Sequence, residues 1–146
     1  MENDRPRQFG TPLAGTTYAD RPGSYAVAVI EGRVLVVETP TGWFLPGGGV
    51  TGNETPEETL RREVDEETGY GIVALRRLGS ARQIVGGGIN KVETFFIVDL
   101  TGQDVAQAEP EPDHRPRWVS VEEAILGLRE EAQVWALTAA FGATGR

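Results

Sequence analysis

Four residues in one short segment carry the groups best suited to chemistry: Arg62, Glu63, Glu66 and Glu67. On a helix, at about 100° per residue, Glu66 and Glu67 fall on either side of Glu63, so the three carboxylates share one face. Like charges this close repel each other by a few tenths of a kcal/mol per pair unless a cation lies between them. Such a face alone is usually solvated surface, but it also offers the oxygen ligands that a hard divalent cation prefers.

A glycine run, Gly47 to Gly49, precedes these carboxylates. Glycine lets the backbone approach a ligand closely and can offer it a carbonyl oxygen. The chain has no cysteine and a single histidine, His114, which excludes thiolate sites and multi-histidine zinc sites. A bound metal would therefore be held mainly by oxygen, which points to Mg²⁺, Mn²⁺ or Ca²⁺.

A helix over Pro56–Thr68 is predicted to position the carboxylates. Thr55 and Glu58 have the spacing of a capping box at its start. Leu60 and Val64 lie on an adjacent face, which would dock the helix on a sheet. The carboxylates would then lie at the edge of a cleft rather than in open solvent.

The rest of the chain predicts strands with two more helices. Strands are expected at Ser24–Ile30, Arg33–Glu38, Ile72–Ile84 and Lys91–Leu100, and a loop at Asp104–Arg117. A second helix begins near Val121, after a capping box formed by Ser120 and Glu123. A third, from about Glu130, presents Val134, Leu137, Thr138 and Phe141 at the spacing of one buried stripe.

These elements predict one mixed α/β domain built in layers. Residues 1–22, rich in proline, glycine and charge, are interpreted as an irregular lead-in to a domain over residues 23–142. The segment Met1–Gln8 is polar and does not resemble a secretion signal, and no stretch reaches the roughly 20 apolar residues of a membrane span. A cytoplasmic location without a membrane partner is therefore expected.

The chain has 146 residues and a net charge of −8. This charge argues against a general nucleic-acid binder, which needs a basic face. It does not exclude a small phosphorylated substrate, because bound divalent cations reverse the local sign of the field.

The stretch Gly48–Tyr70 resembles the Nudix box. That box is Gly, five residues, Glu, seven residues, then Arg-Glu-aliphatic-any-Glu-Glu-any-Gly-apolar. Every fixed position is matched here, by Gly48, Glu54, Arg62, Glu63, Val64, Glu66, Glu67 and Gly69. Tyr70 in the apolar slot is a departure, with Ile72 nearby as another candidate, and Thr51 and Asn53 stand where many members carry Glu and Gly.

The resemblance extends from about Ser24 to Phe141. It implies the Nudix fold, an α/β/α sandwich around a mixed β-sheet. It also implies that Glu63 and Glu67 are the principal ligands of Mg²⁺, with Mn²⁺ as an alternative. Glu66 and the carbonyl of Gly48 would complete the ligand set directly or through water.

Glu54 and Arg62, by the same resemblance, brace the loop against the helix. The implied reaction is metal-assisted attack of water on a phosphorus atom of a nucleoside diphosphate derivative, such as a nucleoside triphosphate. The box glutamates would then be the catalytic residues.

The general base and the substrate remain open. The base is either a box glutamate or a residue elsewhere, and the candidates elsewhere are Glu93, Glu109, Glu111 and His114. The region after the box lacks the proline or tyrosine that marks some Nudix subgroups. Trp43, Phe44, Phe95 and Phe96 could stack on a base or belong to the core, and Lys91 and Arg82 could contact phosphates or be ordinary surface charge.

Two rival functions accompany the leading one. The first is a Nudix-fold module that binds a nucleotide or metabolite and regulates without cleaving it. Such modules tend to lose the box glutamates, which are all present here. The second is hydrolysis of isopentenyl or mRNA-cap substrates. The expected partner is a small nucleotide-like substrate, with a homodimer as an open alternative to a monomer.

Overall fold

The computed structural model describes residues 6–101 and 113–143. Its elements in chain order are β1 Arg7–Phe9, β2 Ala19–Val27, β3 Val29–Ile30, β4 Arg33–Thr39, β5 Gly42–Phe44, β6 Gly47–Gly49, α1 Pro56–Thr68, β7 Ile72–Val85, β8 Ile89–Leu100, β9 Arg115–Ser120, α2 Val121–Gly127 and α3 Glu131–Ala143.

The strands form two hydrogen-bonded groups. The larger is a five-stranded mixed sheet in the order β1-β7-β8-β2-β6, with parallel pairing of β1 to β7 and of β2 to β8. In the smaller sheet, β4 pairs antiparallel with β3, β5 and β9. The chain passes from the larger sheet to the smaller one at Ala28, between β2 and β3. There the Ala28 carbonyl accepts a hydrogen bond from the amide of Leu35 in β4.

Helices cover both faces of the sheets because inward-facing side chains alternate along each strand. Tyr25, Val27 and Phe95 face one core cluster, which α2 and α3 complete. Ala26 and Phe96 face the opposite cluster, which α1 completes through Leu60 and Val64. The predicted α/β class with a mixed sheet between helices is confirmed.

Several local predictions are confirmed closely. Helix α1 has the predicted bounds, and both capping boxes are formed. Between the predicted strand segments, Glu31 and Gly32 make a hairpin turn that joins β3 and β4, with φ angles of 53° and 77°. The segment from Ile72 onward is one long strand, β7.

Other local predictions were wrong. The predicted strand Ser24–Ile30 is divided at Ala28 into β2 and β3, and β1 and the start of β2 lie within the stretch 1–22 that was expected to be irregular. The last residues of the predicted loop, Arg115–Arg117, belong to β9, whose backbone pairs with β4. These segments are held by strand partners distant in the chain, and a local pattern does not reveal such partners.

The predicted stripe of α3 was also wrong. Leu137 is buried, but Thr138 is exposed and Phe141 is 41% exposed. The side chains that α3 buries are mostly small, namely Ala132, Gln133, Ala136, Leu137 and Ala140. Small residues let a helix approach the sheet closely, and a pattern weighted by large apolar residues overlooks that face.

Candidate active site

Helix α1 presents its acidic face toward β6. Capping fixes the start of the helix: Glu58 donates its backbone N–H to the Thr55 hydroxyl, and Thr55 donates its own to the Glu58 carboxylate. Leu60 and Val64 are fully buried, which sets the rotation of the helix about its axis. The glutamates on the next face are thereby held at the boundary between helix and strand.

The glycines of β6 allow direct contact between that strand and the glutamates. The Gly47 amide donates to Glu67 Oε1 at 3.0 Å. A Cβ atom on Gly48 would lie 2.5–2.8 Å from the carboxylate atoms of Glu63. The backbone can therefore touch this carboxylate only because position 48 has no side chain.

Arg62 connects the loop before α1 to its acidic face. Its guanidinium binds Glu54 at 2.6 Å and 3.0 Å, and it also reaches Glu63 at 3.1 Å and Glu66 at 3.3 Å. Hydrogen bonds from Arg62, and then from Thr51 and Thr59, hold the pKa of the Glu54 carboxyl well below its usual range. The loop is thus tied to the helix by a charged, multiply bonded pair.

A cavity of about 350 Å³ opens beside this acidic face. Its lining residues are Tyr25, Val37, Thr39, Pro40, Thr41, Phe44, Leu45, Gly47, Glu67, Lys91 and His114. Its size lies at the low end of the roughly 300–1,000 Å³ of small-molecule sites. A carboxylate of α1 and an aromatic, apolar pocket therefore share one space.

A buried charged cluster supports one wall of the cavity. Lys91 Nζ lies 2.7 Å from Glu130 and 3.6 Å from Glu93. Glu93 is fully buried, and neither of its carboxylate oxygens has a hydrogen-bond partner. Burial, followed by the neighbouring Glu130, raises the pKa of Glu93 to about 8. Its surroundings therefore favour the protonated form of the Glu93 carboxyl.

A family model described as the NUDIX domain matches residues 20–140. The chain belongs to the Nudix family.

Curated relatives resemble parts of the chain. It is 34% identical over 98 residues to the CMP-5'-(N-acetyl-N-hydroxy-3-aminopropyl)phosphonate hydrolase of Streptomyces rubellomurinus, a match covering 67% of this chain and 47% of that protein. It is 44% identical over 59 residues to the RNA pyrophosphohydrolase of Halorhodospira halophila, covering 39% of this chain and 33% of that protein. The matches span less than half the length of these relatives.

Solved structures are similar over more of their length. A NUDIX hydrolase from Nitrosomonas europaea superposes with a TM-score of 0.76 at 19% identity, over 86% of this chain and 90% of that one. A MutT NUDIX hydrolase from Burkholderia pseudomallei has a TM-score of 0.68 at 26% identity, over 83% and 98%. The Nudix fold is therefore shared along nearly the whole of those chains.

The Nudix box residues suit a divalent cation in donor type. Glu63, Glu66, Glu67 and the Gly48 carbonyl offer oxygen, and the Glu63 carboxylate lies directly against the backbone of Gly48. In the described parts of the chain, no three His, Cys, Asp or Glu side chains are already grouped to hold a metal. Arg62 instead neutralises Glu63 and Glu66. The residues therefore fit a cation that competes with Arg62 for these carboxylates.

The departures from the box have local explanations. Thr51 donates both its backbone N–H and its hydroxyl to Glu54 at 3.1 Å, so it strengthens the brace. Tyr70 is buried in the core beneath α1, where its hydroxyl accepts a hydrogen bond from Trp118 Nε1. A tyrosine can fill an apolar slot when its hydroxyl is satisfied in this way.

The candidate general bases outside the Nudix box lie in different parts of the structure. His114 lines the cavity, and its Nε2 lies 4.0 Å from Glu67. Glu93 lies beneath the cavity wall, inaccessible to solvent. Glu109 and Glu111 lie outside the described residues.

The residues that could contact a substrate also lie in different parts of the structure. Phe44 and Lys91 line the cavity. Phe95 and Phe96 are fully buried core residues, so of the two alternatives the structure supports the core role for them. Arg82 is paired with Asp20 at 3.0 Å and is absent from the cavity wall.

The sequence reasoning missed Tyr25 and Glu130 as parts of the site. The sequence of β8 carried a signal for this cluster. Lys91, Glu93 and Phe95 follow one another at intervals of two residues, so their side chains face the same core. Two charged residues at inward positions of an apolar strand indicate a buried polar cluster. Glu130, by contrast, reaches Lys91 only through the tertiary fold.

Arg62→Lys is expected to lower kcat/KM for any substrate that the protein hydrolyses by about 10–100-fold. An ammonium cannot reproduce the two-atom contact with Glu54 while also reaching Glu63 and Glu66, so the acidic face loses its support. Steady-state kinetics with Mg²⁺ measures the effect. Arg61→Lys is the matched control, since Arg61 contacts the Ile72 carbonyl. Equal activity of the two variants would contradict the bracing role.

Glu93→Gln is expected to raise the melting temperature, relative to that of the wild type, more at pH 8 than at pH 5. Because the native pKa of Glu93 is raised to about 8, the folded protein retains a proton that the unfolded chain loses above about pH 4.5. Wild-type stability therefore falls between these pH values, whereas the amide does not titrate. Thermal unfolding of both proteins from pH 5 to 9 tests this, and a constant difference in melting temperature would contradict it.

Proposed function

We propose that this protein is a catalytic Nudix hydrolase that cleaves a phosphoanhydride bond in a nucleoside diphosphate derivative, such as a nucleoside triphosphate. One observation carries the proposal: the acidic face of α1 reaches, through Glu67, into the aromatic-lined cavity. A diphosphate at the acidic face would place its nucleoside in that cavity. The names of the two curated relatives, a hydrolase of a CMP-linked phosphonate and an RNA pyrophosphohydrolase, support this proposal.

In this proposal Glu63 and Glu67 hold Mg²⁺, or Mn²⁺, with Glu66 and the Gly48 carbonyl as further ligands. When bound, the metal neutralises phosphate oxygens and lowers the pKa of water. The Gly47 N–H keeps Glu67 oriented, and Arg62 with Glu54 holds the helix against the loop. In this proposal a box glutamate accepts the proton of the attacking water and His114, whose Nε2 lies 4.0 Å from Glu67, would assist it.

The binding-only module is the second candidate. The intact box glutamates favour the enzyme, because a binding module does not need them. The cytoplasmic location stays a prediction, and a homodimer stays an open alternative to a monomer. No helix in the described part of the chain is long and apolar enough to span a membrane.

A substrate panel tests the proposed function. Nucleoside triphosphates, nucleoside diphosphate sugars and dinucleoside polyphosphates would be incubated with the protein and Mg²⁺, Mn²⁺ or EDTA, and the products separated by chromatography. Metal-dependent release of a nucleoside monophosphate is the expected result. Tight binding of a nucleotide without turnover under any metal condition would favour the binding module instead.

A further inference from the structure

Lys91 places a half-buried ammonium, paired with Glu130, in the cavity wall. Its Nζ lies 5.4 Å from the centre of the Tyr25 ring and 5.8 Å from that of Phe44, and both rings line the same cavity. Glu130 holds it at 2.7 Å, and its side chain is 22% exposed. An ammonium held by a carboxylate and lying near two rings has little freedom, so its donors are directed before a ligand arrives.

The ammonium has donor capacity beyond its pairing with Glu130. It carries three N–H donors. Glu130 accepts one, whereas the nearer Glu93 oxygen, at 3.6 Å, lies beyond hydrogen-bond distance. An oxygen acceptor on a ligand in the cavity would satisfy a further donor in a half-buried place, and a hydrogen bond to a charged group is stronger than one between neutral groups.

The charges around Lys91 favour a neutral hydrogen-bond acceptor over a phosphate at this place. Burial alone would lower the pKa of Lys91, but the neighbouring oxygens of Tyr25 and Glu130 outweigh it, and the amine stays charged. Its charge is already matched by the buried Glu130 carboxylate. A phosphate brought here would face that carboxylate with no unmatched positive charge, whereas a carbonyl needs only the N–H.

The position of Lys91 in the fold also favours a neutral acceptor rather than a phosphate beside it. Lys91 contacts Tyr25, which belongs to the core cluster completed by α2 and α3, and Glu130 directly precedes α3. Glu67 belongs to α1, which covers the opposite face. The cavity therefore joins the proposed diphosphate-binding carboxylates on one side of the sheet to this ammonium on the other.

We propose that Lys91 is a specificity-determining residue that donates a hydrogen bond to a carbonyl oxygen of the nucleobase and disfavours bases with an amino group at that position. Lys91 would thus select keto bases over amino bases. The inference rests on the proposed function, because it assumes that the group filling the cavity is a nucleoside.

Two substrate pairs isolate the contact. Inosine and adenosine nucleotides differ in the group at C6, carbonyl against amino, and uridine and cytidine nucleotides differ in the same way at C4. We expect wild-type kcat/KM to favour the keto member of at least one pair by about 10–100-fold, the worth of a hydrogen bond to a charged group. Dissociation constants of the corresponding monophosphates, measured by calorimetry, should show the same preference.

Lys91→Met keeps an unbranched side chain between the rings and removes the donor. We expect the keto preference to fall close to one in both measurements. Because this variant leaves Glu130 buried without its cation, Lys91→Met/Glu130→Gln provides a second, uncharged version should the single variant fail to fold. Arg77→Met is the control, since Arg77 bonds Ser80 and does not line the cavity.

The outcomes separate the two proposals. A wild-type preference near one, or a preference unchanged in both Lys91 variants, would overturn the specificity role. Equal weakening of both members of a pair would also overturn it and identify a phosphate contact. Selective binding of keto monophosphates without hydrolysis of any triphosphate would refute the proposed catalysis but support the role of Lys91.

Discussion

Glu67→Gln is expected to reduce kcat for nucleotide hydrolysis with Mg²⁺ by about 10²–10³-fold while leaving the fold intact. The amide oxygen can still accept the Gly47 N–H, which Glu67 accepts at 3.0 Å, so the contact between α1 and β6 is retained. What is lost is the negative charge that would hold the cation. A metal that stabilises the transition state by several kcal/mol corresponds to losses of this size, at about 1.4 kcal/mol per tenfold.

Steady-state kinetics over a range of Mg²⁺ concentrations, with circular dichroism to confirm folding, measures this effect. Glu57→Gln is the matched control, because Glu57 is an exposed glutamate in the first turn of the same helix. Glu63→Gln should behave like Glu67→Gln, since Glu63 lies against Gly48. Wild-type rates for both variants would refute the assignment of the metal ligands.

Gly47→Ala is expected to destabilise the fold by about 3–5 kcal/mol. Residue 47 has a φ of +150°, which L side chains rarely adopt, and a Cβ atom there would overlap the Ser24 carbonyl oxygen and lie 2.7 Å from Tyr25 Cα. Both obstacles are backbone atoms of the paired strand β2, so no side-chain rotation relieves the clash. Strain and overpacking each cost about 1–3 kcal/mol.

Gly49→Ala provides the comparison within the same strand. A Cβ atom on Gly49 would come no closer than 3.8 Å to the Pro22 carbonyl, an ordinary contact. Chemical denaturation of the two variants and the wild type therefore compares how much one added methyl group lowers the free energy of unfolding at two positions of the same strand. Similar stabilities for both variants would show that β6 can shift away from β2, contrary to the packing described above.

The local elements around the site could be predicted because their determinants are close in the chain. The bounds of α1 follow from Thr55, Glu58 and Gly69, which cap its two ends through contacts within a few residues. The alternation of Phe95 and Phe96 along β8 similarly predicts a strand with two apolar faces. Such features need no knowledge of the remaining chain.

The box pattern likewise indicated which side chains share the acidic face. Helical spacing places Glu63, Glu66 and Glu67 together in any fold that contains α1. The brace between Glu54 and Arg62 was implied by resemblance to the family, and the structure shows their contact at 2.6 Å. Their roles in metal binding and catalysis stay predictions.

Only the tertiary structure decided what lies opposite that face. Lys91, Glu130 and Tyr25 are far apart in the sequence, and they meet because β8 pairs with β2 while α3 packs against both core strands. The close approach of Gly47 to Glu67 depends in the same way on the pairing of β6 with β2. Strand order and helix docking are set by burial summed over the whole domain, which no short window of residues contains. The sequence alone thus determined the helix and its row of carboxylates, whereas the packed sheets decided that a cavity with a half-buried ammonium would face them.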